Sequence, residues 1–232
     1  MFIKGDCLET LRTLQSKSVD FIYFNPPFGI TRQPWDEKLD WKNIFTELFR
    51  IVKEKGTIAI HCSVPFNYEL IRSAHSPPNY SWYWNKMNTT TPLLAKRQPM
   101  RCVEEILIWT TGKYNPQRIG TEIRTFTSSG LTKYVDEGYC KPQEKQTVVG
   151  HYQNHLINMR KHVRGFATRP DELIELLIKS YTDIDDLILD PTCYKGLSGD
   201  IAQRLGRRWI GIDKYFEPDI NSLPLSSLPP VN

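Results

Sequence analysis

The chain has 232 residues, 40% of them hydrophobic, and a formal net charge of +4. That length suits one domain with an insertion, or one domain plus a small lobe, and it is enough to bury a full core. No apolar run approaches the roughly 20 residues of a bilayer-spanning helix, and the five scattered cysteines, with no Cys-x-x-Cys pair, argue against a disulfide framework or a zinc site.

The N-terminus, Met1-Phe2-Ile3-Lys4-Gly5-Asp6, lacks the charged and apolar regions of a signal peptide, so an intracellular location is expected. Leu8, Leu11 and Leu14 then mark a short helix. Val19 to Phe24 reads as a buried strand running into Asn25-Pro26-Pro27-Phe28. Ile44, Phe45, Leu48, Phe49 and Val52 keep a helical period, with Gly56 as its expected stop. Thr57 to His61 and Val103 to Thr110 are strand-like, and Tyr80, Trp82, Tyr83 and Trp84 alternate as a strand does, which favours core packing for these rings.

From about 75 to 165 the rhythm is lost. This stretch is aromatic, basic and rich in Pro, Thr and Asn, and reads as an insertion. Pro170 stands where a first-turn proline is tolerated, ahead of Leu173, Ile174, Leu176 and Leu177. Leu187 to Leu189 is a strand ending in Asp190-Pro191. Ile201, Ala202 and Leu205 mark a helix ended by Gly206, and Trp209 to Ile212 is a strand ending in Asp213. The segment from Glu217 to Asn232, with four prolines and three serines, is expected to be loosely ordered. The alternation predicts an α/β fold: a Rossmann-like mixed, mostly parallel sheet with helices on both faces and a small inserted region. The expected divisions are 1–74, 75–165 (partly strands of the core sheet), 166–216 and 217–232.

Ligands of open α/β sheets collect outside the carboxyl ends of the strands. Asn25-Pro26-Pro27-Phe28, Asp190-Pro191 and Asp213 all fall there, so three motifs are expected at one crevice. Charge is unevenly spread. Lys86 to Arg101 holds four basic residues (Lys86, Lys96, Arg97, Arg101) and no acidic one, and Lys141 to Arg169 holds six (Lys141, Lys145, Arg160, Lys161, Arg164, Arg169) against Glu144 alone. Such stripes suit a polyanion, although a solvated surface can also carry them. His151 and His155 have helix-face spacing but no third ligand nearby, so no metal site is expected.

An exocyclic amino nitrogen on adenine is a poor nucleophile, because its lone pair is delocalised into the ring. Two fixed acceptors for its hydrogens, the Asn25 side-chain oxygen and the Pro26 carbonyl, would favour the tetrahedral geometry needed to attack a methyl sulfonium. The double proline stiffens the turn, and Phe28 offers a face for a base extruded from the duplex. The same tetrapeptide also suits a structural turn and does not decide alone. The second motif, Asp190-Pro191-Thr192-Cys193-Tyr194-Lys195-Gly196-Leu197-Ser198-Gly199, is a glycine-bearing turn between strand and helix, with Asp213 about 20 residues on as a candidate ribose acceptor.

Together with Asp6-Cys7-Leu8, Trp35-Asp36, Glu104-Glu105-Ile106-Leu107, Arg169-Pro170 and Gly206-Arg207-Arg208-Trp209-Ile210-Gly211-Ile212-Asp213, these motifs resemble the β group of DNA amino-methyltransferases, in particular phage-type adenine-N6 methyltransferases. The likeness runs from about residue 3 to 217. It implies an S-adenosylmethionine-dependent enzyme acting on duplex DNA, with S-adenosylhomocysteine as product and with residues 75–165 as the DNA-recognition region. It also implies Asn25, Pro26, Pro27 and Phe28 as the catalytic turn. Asp6, Cys7, Thr168, Arg169, Asp190, Pro191, Gly196 and Asp213 would hold the cofactor, Asp190 near its amino group and Asp213 near its ribose. Arg32, Trp35, Lys86, Lys96, Arg97 and Arg101 would contact DNA. Self-association and a companion restriction endonuclease are further expectations of the resemblance.

The chain departs from the family pattern at Asn25, where Asp is usual, at Phe28, where Tyr is frequent, and at Tyr194 and Lys195, where glycine is expected. Gly165-Phe166-Ala167-Thr168-Arg169-Pro170 keeps the family's His-Pro-Thr-x-Lys-Pro only in part. Transfer to a cytosine amino group, to RNA or to a glutamine amide, and an inactive nucleic-acid-binding partner subunit, remain as alternatives. The order of the motifs, residue 25 before residue 190, favours DNA.

Overall fold

In the strand Val19–Phe24, side chains of alternating direction are both apolar, which requires a covering layer on each face. Ile22 and Phe24 pack with Leu11, Ile44, Phe45 and Leu48 on one side, while Phe21 and Tyr23 pack with Leu173, Leu177, Ile178 and Ile201 on the other. Each fully buried side chain of this size contributes about 1.5–3 kcal/mol of transfer free energy.

The computed structural model describes residues 1–90, 92, 95–110, 112–126, 146–160 and 169–215. Thr168, the rest of the partly kept motif before Arg169, the basic residues Lys141, Lys145, Lys161 and Arg164, and the proline-rich C-terminal segment lie outside them. The chain forms two units, Met1–Asn115 with His155–Asn232, and Pro116–Asn154.

The first unit runs β1 (Phe2–Lys4), α1 (Cys7–Thr13), β2 (Val19–Phe24), α2 (Trp41–Ile51), β3 (Val52–Cys62), α3 (Phe66–Ser73), β4 (Tyr80–Thr90) and β5 (Arg101–Thr110). The second unit supplies β6 (Arg118–Phe126) and β7 (Gln146–Tyr152). The first resumes with β8 (Leu156–Asn158), α4 (Asp171–Tyr181), β9 (Leu187–Asp190), α5 (Leu197–Arg204) and β10 (Arg208–Asp213). Eight strands form one sheet in the order β1-β10-β9-β2-β3-β5-β4-β8. The first five run parallel, β5 is antiparallel to β3 and β4, and β8 lies parallel to β4. The sheet is therefore mixed and mostly parallel, with α1, α2 and α3 contributing to the core on one face and α4 and α5 to the core on the other. This is the Rossmann-like α/β architecture expected from the alternation.

Strands β4, β5 and β8, from the stretch between 75 and 165, belong to this main sheet. Trp82 and Trp84 turn inward from β4, and Trp82 Nε1 donates to the Tyr181 hydroxyl at 2.7 Å. The second unit is an antiparallel β6–β7 ribbon with Ile123, Val149 and Tyr152 exposed, and with the Arg118 guanidinium 4.1 Å from the centre of the Tyr152 ring. Among the described residues, no helix is long and apolar enough to cross a membrane, and no group of three His, Cys, Asp or Glu side chains is placed to hold a metal.

Two local expectations are corrected. Helix α2 stops at Ile51, and Val52 already opens β3, so Gly56 lies within a strand rather than ending a helix. The pairing of β2 with β3 slips between Val19 and Phe21, and a Cβ at Gly56 would meet Val52 Cγ2 at 2.6 Å and the Asp20 carbonyl at 2.9 Å. Glycine is needed there for a close strand approach, which Lys53 supports by donating to both Asp20 oxygens at 2.9 and 2.8 Å. Pro170 is the residue ahead of α4, and the first helical turn instead carries Asp171 and Glu172.

Candidate functional site

Strands β2 and β9 are parallel neighbours, so the turn leaving β2 and the loop leaving β9 emerge side by side at the same edge of the sheet. They touch there. Thr192 Oγ1 donates to the Asn25 main-chain carbonyl at 3.1 Å. Asn25 and Phe28 are half-buried and Pro26 is buried. The Phe28 ring stacks on Phe66, with 4.9 Å between centroids and 28° between planes, so its position is braced from α3.

The segment after the turn is organised by one side chain that sequence reasoning noted only as part of a resemblance. Asp36 Oδ1 accepts the Gly29 amide at 2.8 Å, and Oδ2 accepts those of Ile30 at 3.0 Å and Thr31 at 2.5 Å. Burial alone would raise the Asp36 carboxyl, but the bonds from Thr31, Gly29 and Ile30 hold it below its ordinary value. Its stabilising effect is accordingly present above the unfolded carboxylate pKa and lost as pH falls through the lower folded value. Exposed Arg32 and half-buried Trp35 ride on this loop. Asp36→Ala strands three amides and is expected to cost about 1–3 kcal/mol, measured by urea unfolding.

Loop residues after β9 form a second cluster. Asp190, 3% exposed, accepts from the Ser198 hydroxyl and from the Thr192 amide at 3.3 Å, and Trp209 Nε1 donates in turn to Ser198 Oγ at 3.2 Å. Burial pushes the Asp190 carboxyl up to about 7 against the opposing bonds from Ser198 and Thr192, and the nearby Asp213 charge adds to the rise. Tyr194 and Gly196 adopt left-handed backbone, with φ of 51° and 84°. That conformation explains why glycine would be the easier residue at 194, since a Cβ there brings local strain. Gly196 is buried directly ahead of α5, and the buried Pro191 follows Asp190.

Asp213 accepts the Tyr194 amide on Oδ2 and the Tyr215 amide on Oδ1, both at 2.8 Å. It therefore shapes the loop as well as ending β10. Asp6 caps α1 by accepting the Glu9 amide at 3.2 Å. The Cys7 thiol is pushed up first by burial and then by the charges of Asp6, Asp190 and Asp213. Asp6 follows β1, Asp190 ends β9 and Asp213 ends β10, so the three carboxylates stand at the carboxyl ends of adjacent strands. Lys214 pairs with Glu37 at 2.9 Å, linking the loop beyond the turn to the end of β10.

The remaining candidates lie along the same edge. Because β5 runs antiparallel to β3, with Cys62 opposite Glu105, its first residue Arg101 lies past the carboxyl end of β3. Thr90, at the end of β4, pairs with Arg101, so Lys86 and the connection carrying Lys96 and Arg97 share this side. Lys96, Arg97 and Arg101 are exposed. Lys86 instead reaches inward to Glu104, at 3.1 Å. Arg169 is also turned inward, with Nε donating to Glu104 at 2.7 Å. Glu104 and its partner His61, which meet at 2.9 Å, were not singled out as site residues by the sequence. The available signal was an acid inside an apolar strand.

The chain is 24% identical over 229 residues to type II methyltransferase M.BamHI of Bacillus amyloliquefaciens, covering 90% of this chain but 53% of that protein, so it spans about half the length of this relative. It is 24% identical over 248 residues to DNA adenine methyltransferase YhdJ of Escherichia coli (strain K12), covering 97% of this chain and 83% of YhdJ. The structure of the cytosine-N4-specific PvuII DNA methyltransferase superposes with a TM-score of 0.62 at 15% identity, covering 92% of this chain and 81% of that one, which shows a shared fold. The sequence profile of the DNA methylase family matches residues 19–217, and the chain belongs to that family.

Proposed function

We propose that this chain is a site-specific methyltransferase that moves a methyl group from S-adenosylmethionine to the exocyclic N6 of an adenine swung out of duplex DNA, leaving S-adenosylhomocysteine. The observation that carries this reading is the bond from Thr192 to the Asn25 carbonyl, which joins the acceptor-bearing turn to the acid-lined loop at one point on the sheet edge. Asp6, Asp190 and Asp213, at the carboxyl ends of adjacent strands, are acids suited to a ligand with a sulfonium and an ammonium group, whose charge also favours the ionised form of Asp190. Bound there, S-adenosylmethionine supplies an electrophilic methyl group.

The chain's own residues supply orientation. Asn25 Oδ1 and the Pro26 carbonyl accept the two amino hydrogens, drawing the nitrogen lone pair out of conjugation and towards the donor. Phe28, braced by Phe66, stacks on the extruded base. Asp190 faces the cofactor's ammonium and Asp213 its ribose, through the second lone pair that each carboxylate oxygen retains. Cys7, Pro191, Gly196 and Arg169 complete the proposed cofactor site, to which the family resemblance adds Thr168. Arg32, Trp35, Lys96, Arg97 and Arg101 contact the duplex, whereas Lys86, expected to do so from the sequence, is engaged by Glu104. Action inside a cell, self-pairing and a companion restriction endonuclease belong to the same proposal.

The PvuII enzyme that shares this fold is cytosine-N4-specific by its own name. YhdJ is an adenine enzyme by its own name, which supports adenine here. Incubation with methyl-labelled cofactor and duplex DNA, followed by nucleoside analysis, tests the reading. N6-methyladenine is expected. Methylcytosine alone, or label found only in RNA or protein, would overturn it.

A further inference from the structure

We infer that Glu104 is a positioning residue for cofactor binding, a buried carboxylate that fixes the Arg169 guanidinium beneath the carboxyl edge of the sheet. The inference rests on the proposed role of Arg169 in holding S-adenosylmethionine.

Glu104 is 3% exposed on the inner face of β5 and gathers three partners from three other segments. Its Oε1 accepts from Arg169 Nε at 2.7 Å and from His61 Nδ1 at 2.9 Å, and its Oε2 accepts from Lys86 Nζ at 3.1 Å. Burial by itself would raise the Glu104 carboxyl, but Arg169, then His61 and Lys86, hold it far below the usual carboxylate range, so it stays charged. Burial lowers the His61 imidazole against the opposing hydrogen bond to Glu104, and Arg169 Nε also lies 3.4 Å from its Nδ1. The guanidinium is also held over the Trp84 ring, 5.7 Å from its centre, and Trp84 is itself fixed by donating to the Met159 carbonyl at 2.8 Å. Arg169 is therefore held at its Nε by an acid and across its plane by an indole.

The direction of this support is towards the cofactor loop. His61, the partner of Glu104, follows Ile60, which pairs with Phe24, and its ring packs edge-on against Tyr23 at 5.2 Å between centroids. The cluster therefore lies beside the end of β2, two positions before Asn25. A buried ion pair contributes little net stability compared with packed apolar side chains, because desolvation offsets the attraction. Orientation is the return that remains. An arginine whose planar fork is fixed in advance loses less entropy when it engages a carboxylate such as that on the methionine end of the cofactor.

The experiment is a double-mutant cycle read by calorimetric titration of S-adenosylhomocysteine into full-length protein whose folding is checked by circular dichroism. Glu104→Gln is expected to raise Kd at least about tenfold, and Arg169→Gln at least as much. The double variant should bind no more weakly than Arg169→Gln alone, because the effect of Glu104 passes through the arginine. If Glu104→Gln does not fold, Lys86→Met/Glu104→Gln removes one cation with the acid, keeps the net charge of the cluster and carries the same expectation. An unchanged Kd in the folded Glu104 variant, or losses that multiply in the double variant, would overturn the inference alone. Wild-type protein that fails to bind the ligand would overturn the proposed function and this inference with it.

Discussion

Asn25→Ala is expected to slow methyl transfer about a hundred- to a thousand-fold while leaving cofactor affinity within about twofold. On the proposed mechanism the loss is confined to the chemical step, because the side chain would act on the amino group, whereas the contact that fixes the turn uses the main chain. Thr192 still donates to the residue-25 carbonyl after truncation, and Phe28 stays braced by Phe66. What disappears is one of two acceptors that favour a tetrahedral nitrogen as positive charge develops there. Asn25→Asp keeps an oxygen in place and adds a charge suited to that developing positive centre, so it is expected to retain activity. Single-turnover kinetics with saturating DNA separates the two variants. An alanine variant as fast as wild type would remove the turn from the chemistry.

The second large effect is on cofactor affinity as a function of pH. Asp190 is raised to about 7, chiefly by burial. A cationic ligand beside it favours the ionised form, so below that value binding must also expel a proton. Affinity should therefore fall about tenfold for each unit of pH below 7 and level off above it. For stability the sign is opposite. The folded pKa lies above the unfolded one, so the Asp190 contribution to the free chain is fully present below the unfolded value and is lost as pH rises through 7. Asp190→Asn removes both dependences. It is expected to weaken S-adenosylhomocysteine binding between about ten- and a hundredfold at neutral pH, and to make the free chain more stable than wild type above pH 7. Calorimetry and thermal melts across this range measure the two effects, and a residue of purely structural importance would not move them in opposite directions.

The parts of the site that could be read from the sequence are local in the chain. Val19 to Phe24 running into Asn25-Pro26, Leu187 to Leu189 running into Asp190-Pro191, and Trp209 to Ile212 running into Asp213 each carry strand and strand-end signals within ten residues. Their meeting at one edge follows from a general rule about parallel sheets, and the β2–β9 pairing agrees with it. The boundary at Val52 was misread because that residue continues the apolar phase of α2 while opening β3, and only the pairing with β2 decides between them. Helix α3 has eight residues and sits between two long strands, too short for its period to stand out.

Residues that act through distant partners were the least legible. Glu104 meets His61 across 43 positions, and the carboxylate of Asp213 is engaged by main-chain amides that no side-chain pattern announces. Asp36 is nearer in sequence, but its role depends on a loop folding back so that three consecutive amides point at one carboxylate.

A crystal structure of the chain with S-adenosylhomocysteine bound is the most direct measurement. The ligand should lie outside the carboxyl ends of β9 and β10, with its amino group beside Asp190 and its sulfur facing Asn25. A ligand seated elsewhere, or one whose sulfur is turned away from Asn25 with protein filling the space between, would contradict a shared crevice for base and methyl donor.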